Sequence, residues 1–349
     1  MIAALVAVDV TTYGWVTALK VGVVLALIPA GALILGYVFL MKMMSHMQSR
    51  LGPMEAGPHG VLQLVFDGIK FLQKEDIFPD RSDRRVFALA PLVVMLSTFL
   101  LYIVIPAGPR LVVEDLDTGI FFALAVSSLS VIGILMAGWS SANKFSLMGG
   151  LRAAGQLIAY ELPLVLAVVG VVIQAGTLSL QGIVGAQAAF DMSFFGLFTI
   201  PSIGYFIPQF FGFIIFMIAV QAELTQTPFD MPVAESELVA GFMTEYTGFR
   251  FLFFFMGEFG TAFAFGALAS TLFLGGWYIP FGFHDGLLGD LQGVIVLFTK
   301  IMIVSFFVFW VRFTYPRFRE DQLQTFAWKW LIPLSLLNIL ATAVFKVVF

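Results

Sequence analysis

Long apolar runs alternate with short polar stretches along the whole chain. Eight runs approach or exceed the ~20 helical residues that cross a ~30 Å hydrocarbon core: Val21–Met44, Val86–Ile105, Phe121–Trp139, Gln156–Ile173, Ile203–Val220, Phe251–Phe273, Leu291–Phe313 and Trp330–Val348. The pattern predicts an all-α polytopic membrane protein with eight transmembrane helices. No linker, low-complexity tract or internal repeat divides residues 1–349, which read as a single integral membrane domain.

The first polar stretch has a pattern of its own. In Val61–Lys74, Gln63, Asp67, Lys70 and Lys74 recur at spacings of four, three and four, which puts them on one stripe of a helix. Val61, Leu62, Val65, Phe66, Ile69 and Leu72 fill the remainder. This predicts an amphipathic interfacial helix in the first inside loop, either a plain anchor or one wall of a cavity with a charged face.

Charge sets the orientation. Of the 18 Lys and Arg, fourteen fall in the odd-numbered loops, whereas the even loops hold only Arg110. By the positive-inside rule the odd loops face the cytoplasm and both termini face outward. The expected location is the cell inner (plasma) membrane, with multiple passes and the termini on the periplasmic side. No basic residue precedes the apolar N-terminus, which argues against a cleaved signal peptide.

Composition narrows the chemistry. The chain is 60% hydrophobic and 11% charged, far from the soluble norm of about 25% charged. A net charge of −4 gives nucleic acid no electrostatic footing. There is no cysteine, hence no disulfide, zinc-thiolate or ordinary iron–sulfur ligation. His46, His59 and His284 are scattered and give no bis-histidine haem pattern. No metal site and no catalytic residue is expected, and any redox centres belong to other subunits.

The ionisable residues close to the membrane are the functional candidates, because charges there are costly. The loop Ala222–Arg250 carries Glu223, Asp230, Glu235, Glu237 and Glu245 against Arg250 alone. Neighbouring carboxylates raise one another's pKa, which suits proton handling. Pro228 and Pro232 are expected to keep this loop non-helical. Deeper, at ~1.5 Å per residue, Glu161 lies roughly 14 Å beyond Arg152, Glu258 roughly 12 Å beyond Arg250 and Lys300 roughly 18 Å before Arg312. This predicts a buried row of two acids and a base at one depth: a lateral proton relay or a structural Glu–Lys lock. A proton-conducting subunit of an energy-converting complex, a secondary transporter with midplane carboxylates and a membrane anchor for a peripheral enzyme all remain open. The transporter lacks its expected repeat symmetry, and the anchor leaves the buried charges unexplained.

Four segments carry a resemblance. QSRLGPMEAGPHGVLQLVFDGIKFLQKED (Gln48–Asp76), GWSSANKFSLMGGLRAAGQLIAYE (Gly138–Glu161), AELTQTPFDMPVAESELVAGFMTEY (Ala222–Tyr246) and FWVRFTYPRFREDQLQTFAWKWLIPLSL (Phe309–Leu336) resemble, in order and spacing, the quinone-site membrane subunit of respiratory complex I, the proton-translocating NADH:quinone oxidoreductase. The resemblance implies a subunit without a redox centre or cofactor of its own, which forms the quinone chamber and an acidic route coupling quinone reduction to proton translocation. Quinone, ubiquinone or menaquinone, is the implied substrate. FMN and iron–sulfur clusters are implied in partner subunits. The implied partners are hydrophilic iron–sulfur and quinone-site subunits on the cytoplasmic face, with small membrane subunits, antiporter-like subunits and lipid in the bilayer.

By matching position, Arg50, Asp67, Lys70, Arg312 and Arg317 would line the quinone passage. Glu161, Glu223, Glu235, Glu237, Glu245 and Glu258 would form the acidic route, with Lys300 in the same buried row. The chain departs from the family pattern at Leu40 and Met41, where an acid–base pair is usual. It also departs at Met54 (usually Asn), Gln226 (usually Arg), Val233 (often a carboxylate) and Glu320 (usually Tyr). These departures leave room for an equivalent subunit of a ferredoxin-linked or hydrogenase complex.

Overall fold

The computed structural model describes residues 14–190, 192–194, 198–200, 204–279 and 286–348; His284 lies outside them. Among the described residues, seven helices are long and apolar enough to cross a membrane. The first crossing begins as α1 (Gly14–Leu35), passes through a π-helical stretch at Gly36–Met43 and ends in the turn Met44–Met47. The amphipathic helix is α2 (Gln63–Gln73). It starts two residues later than its pattern predicts because a 3₁₀ turn at Pro58–Gly60 precedes it and Leu62 leaves helical geometry. Leu64 plugs it onto the first crossing at Gly36, where a Cβ would sit 2.8 Å from Leu64 Cδ1. Phe71 stacks on Phe251 at 5.3 Å.

α3 (Arg84–Ile103) is N-capped by Asp83, whose carboxylate accepts from the amides of Arg85 and Val86, meeting donors that a helix start leaves free. α4 (Gly119–Ser127) and α5 (Leu129–Ser140) form one crossing with a step at Ser128. α6 (Lys144–Ala175) has 32 residues, is capped by Asn143 and ends at Gly176 with φ +74°. It begins twelve residues before the predicted Gln156, because the apolar criterion discards the Lys-, Gly- and Arg-containing turns that extend it inward. α6 packs against α5, against α8 (Phe210–Glu223) and against α13 (Ile332–Val348), near the middle of the helical bundle.

The fifth apolar run gives a correction. Its predicted start, Ile203, lies outside the described residues, 204–209 are turns, and α8 has only 14 residues. The all-α architecture holds among the described residues, apart from one short feature. After α7 (Leu180–Ala188) comes an antiparallel hairpin, β1 (Met192–Phe194) with β2 (Phe198–Ile200), in which Met192 pairs with Ile200. The remaining elements are α9 (Glu235–Leu238), α10 (Gly248–Phe273), α11 (Leu287–Thr314) and α12 (Glu320–Phe326); a π turn, Ala327–Leu331, joins α12 to α13. Phe309 of α11 stacks with Phe39 at 5.4 Å and with Phe259 at 5.8 Å, so one ring column ties the π stretch to α10 and α11.

Candidate functional site

Two neighbouring features carry the predicted residues. The first is an apolar groove of about 740 Å³ between the first crossing, α2 and α10. Leu40, Met41, Phe251, Phe255 and Met256 form its walls, and Asp67, Lys70 and Lys74 are the charged residues among its lining. The predicted stripe on α2 forms a chain of contacts: Gln63 Nε2 donates to Asp67 Oδ1 at 3.0 Å, and Lys70 Nζ approaches the same oxygen at 3.4 Å. Val65, Phe66, Ile69 and Leu72 stay exposed on α2, as a helix lying against lipid requires. Arg50 does not line the groove. It is exposed in the loop before α2 and donates to Gln48 Oε1 at 2.8 Å.

The second feature is a polar network at the inner ends of α6, α8 and α11. Here the loop 224–234 stays non-helical, with a cis peptide at Thr227–Pro228. Its buried backbone finds partners on side chains, as polypeptide carbonyls away from water must. Gln156 Nε2 donates to the carbonyls of Ala222 and Phe229 at 2.7 Å each, and Gln221 Nε2 to those of Thr227 and Val308 at 2.8 and 3.2 Å. Gln226 is a junction. Its Nε2 donates to Glu258 Oε1 at 2.6 Å, while its Oε1 accepts from Arg312. Arg312 is also 3.8 Å from Glu258.

Nearer the surface, Arg152 of α6 donates to Glu237 at 2.5 Å and approaches Glu320 at 3.4 Å. Arg317 approaches Glu237 at 3.7 Å and Ser236 Oγ at 3.4 Å. The hydrogen bond from Arg152 holds the Glu237 carboxyl below the usual carboxylate range. Burial pushes Asp230 the other way, up to about 6, against the pull of Arg317 and Arg312 and with the repulsion of Glu258 and Glu235. Further in, Glu223 lies within electrostatic reach of Glu161. Ser128, at the step between α4 and α5, donates to Glu161 Oε1.

Three expectations change here. Arg250 is not the counter-ion of the acidic loop. It pairs with Asp76 and sits over the Phe78 ring at 3.9 Å, and the bases facing the acids are Arg152, Arg312 and Arg317, from other segments. The five acids are not one cluster: Glu245 accepts from Asn143 at 2.5 Å, and Glu235 and Glu237 are exposed. Lys300 is not level with Glu258. Its ammonium donates to the carbonyls of Leu274, Gly276 and Tyr278 at 2.6–2.8 Å, capping the far end of α10. Counting depth from Arg312 treats it as a surface marker, but Arg312 is itself beside Glu258, so Lys300 falls on the opposite side of the bundle. The glutamines carry no charge and escape a reading built on ionisable groups. A glutamine within an apolar run is nonetheless costly to bury unpaired, and Gln156 and Gln221 carry that signal.

The family model described as NADH dehydrogenase matches residues 19–343. The NADH-quinone oxidoreductase H subunit of Brevibacillus brevis is 44% identical over 318 residues, covering 90% of each chain. That of Anoxybacillus flavithermus is 42% identical over 331 residues, covering 94% of each. That of Dehalococcoides mccartyi is 45% identical over 302 residues, covering 86% of this chain and 79% of the relative. The chain belongs to this membrane-subunit family of NADH-quinone oxidoreductases. It is therefore a multi-pass membrane subunit of complex I, and the transporter and anchor readings give way. Among the described residues of this complex I subunit, no group of three or more His, Cys, Asp or Glu is placed to hold a metal ion. The departures at Leu40 and Met41 fall on the wall of the groove, and those at Gln226 and Glu320 fall within the inner network.

Proposed function

We propose that this subunit forms the quinone chamber of its complex and the acidic route that couples quinone reduction to proton translocation. The observation that carries the reading is the run of carboxylates from the exposed, arginine-held Glu237, through Asp230 and Glu258, to Glu223 and Glu161 within the bundle. The quinone enters from lipid along the apolar groove past Asp67 and Lys70, and its head approaches Arg312 and Arg317. Arg50, on the loop before α2, flanks the inner opening. Electrons come from iron–sulfur clusters, ultimately from FMN and NADH, in hydrophilic partner subunits on the cytoplasmic face.

Reduction takes two electrons and two protons per quinone. Cationic side chains favour the anionic intermediates, and the charge change is felt by the nearby carboxylates, which are coupled titrating groups. Protonation changes at Asp230, Glu258, Glu223 and Glu161 then drive the antiporter-like subunits next to this one in the bilayer, with Glu235 and Glu245 flanking the route. Lys300 has no part in it, since three carbonyls occupy its ammonium.

The same reading takes α8 as a fifth, short crossing, which gives eight spans in one integral domain over 1–349. Odd loops face the cytoplasm and both termini face outward in a bacterial inner membrane. Glu161→Gln keeps shape and removes charge. In the assembled complex in proteoliposomes, we expect quinone-coupled proton pumping to fall at least about tenfold, while NADH oxidation by an acceptor at the hydrophilic arm stays at the wild-type rate. Wild-type pumping in this variant would end the relay role of Glu161.

A further inference from the structure

We infer that Leu40 and Met41 tune the quinone passage to a fused-ring naphthoquinone head in preference to a dimethoxybenzoquinone head. The inference rests on the reading of the groove as the quinone passage.

Leu40 and Met41 lie in the π-helical stretch Gly36–Met43 and line the groove half-buried. π-helical turns are rare and cluster at functional sites, where the extra residue re-aims side chains. The next residue, Lys42, is turned away from the groove. Its ammonium donates to the carbonyls of Pro53 at 2.7 Å and Leu51 at 3.5 Å. The charge of this turn is thereby committed to the loop before α2, and the groove receives one alkyl and one thioether side chain. Across from them stand Phe251, Phe255 and Met256 of α10 and Phe71 of α2.

The charged groups of the groove, Asp67, Lys70 and Lys74, all come from α2 and the residue that follows it, and none from the π stretch or α10. Asp67 accepts from Gln63 and faces Lys70. Lys70 is largely exposed. A head passing between the π stretch and α10 therefore meets hydrocarbon, sulfur and aromatic faces there, and the ammonium donors of the groove, Lys70 and Lys74, belong to the α2 side.

The two quinone classes differ in what they lose in such a place. Both carry two carbonyl oxygens. The benzoquinone adds two methoxy oxygens, whose hydration is stripped without replacement, a cost that any unpaired polar group bears in an apolar site. The naphthoquinone has a fused benzo ring there instead. Its rings pack against Phe255 and the stacked Phe71–Phe251 pair, and its edge meets the sulfurs of Met41 and Met256, contacts that are favourable beyond area alone.

The test uses the intact complex in proteoliposomes, with NADH as donor and ubiquinone and menaquinone analogues of equal isoprenoid length as acceptors. NADH gives two electrons, and the quinone takes these and two protons. The double variant Leu40→Gln, Met41→Gln keeps side-chain volume and adds neutral donors to the wall. Differences in reduction potential act equally on wild type and variant, so the readout is the change in the naphthoquinone-to-benzoquinone ratio of kcat/KM. We expect that ratio to fall about tenfold in the variant, mainly through a lower KM for the benzoquinone. NADH oxidation by ferricyanide at the hydrophilic arm should be unchanged. An unchanged ratio overturns the inference.

A second variant separates this failure from failure of the passage reading. Gly68 lines the groove, and a Cβ there meets nothing within 4 Å, so Gly68→Trp adds bulk to the groove from a position whose Cβ has room. If Gly68→Trp blocks both quinones while the glutamine variant leaves the ratio flat, the groove is the passage and the tuning role is wrong. If Gly68→Trp leaves turnover with both quinones at the wild-type level, the groove is not the passage and both ideas fall together.

Discussion

The inner network sets Asp230 and Glu237 apart, although both belong to one loop rich in acids. Glu237 keeps its charge because a guanidinium donates to it; Asp230 resists ionisation because burial outweighs its two arginines. The folded pKa of Asp230, about 6, lies above the ordinary 3.8, so the folded state binds the proton more tightly than the unfolded one. The contribution of Asp230 to stability is greatest at low pH, falls as pH rises through the window from about 4 to about 6, and stays lower above it. Asp230→Asn removes the penalty. The variant complex should be more stable than wild type at pH 8, by about 1–2 kcal/mol after solvent screening, with the difference narrowing toward pH 5. Thermal unfolding of the solubilised complex at the two pH values checks this. A variant less stable at pH 8 than at pH 5, relative to wild type, would show that Asp230 is held ionised.

Among the elements, close backbone approach matters as much as apolar burial. A Cβ at Gly149 of α6 would lie 2.7 Å from the backbone of Gly241 and Phe242, and Gly241 has φ +54° with a Cβ position 1.7 Å from the Pro232 carbonyl oxygen. Both positions therefore need glycine, one for proximity and one for conformation as well. Gly149→Ala should push the Gly241–Met243 turn off α6 and destabilise the subunit by about 1–3 kcal/mol, seen as a lower yield of assembled complex and a lower Tm. Gly155→Ala, where the nearest side-chain atom is 3.7 Å away, should leave both unchanged and serves as the control.

The crossings are legible in the sequence because an apolar run of bilayer length admits few other folds. What escapes lies where local pattern and tertiary role part. The inward turns of α6 contain Lys144, Gly149, Gly150 and Arg152 and read as a loop until a partner surface is there to pack on. The residues of β1 and β2 read as plain loop too, since strands of three residues leave too short a period to count. In the candidate site, the acids are legible one by one through the rarity of charge in such a chain. Their pairing is not, because Arg152, Arg312 and Arg317 come from segments far apart in sequence.

For the molecule as a whole, orientation is the property most directly open to measurement. The chain has no cysteine, so a single introduced thiol reports its own side of the membrane without background. Ser82→Cys, in the loop before α3, should react with an impermeant maleimide only in inside-out vesicles. Asp115→Cys, in the loop before α4, should react only in right-side-out ones. The reverse pattern would invert the positive-inside assignment.

The shortness of α8 also has an electrical side. Fourteen residues rise only ~21 Å, against ~30 Å of hydrocarbon, and Glu223 and Asp230 stand at or just beyond its inner end. Where water reaches those carboxylates, the membrane voltage drops along the helix alone, and the field there is about 1.4 times as steep as across the full hydrocarbon thickness. On the proposed route and orientation, a proton resting on Asp230 would still be at the potential of the cytoplasm, whereas one passed on to Glu161 would have begun to climb the potential, at about 2.3 kcal/mol per 100 mV for the full crossing. On the proposed route, transfer between these two acids would be the step that senses voltage, and a respiratory membrane, once charged, would slow the machinery that charges it.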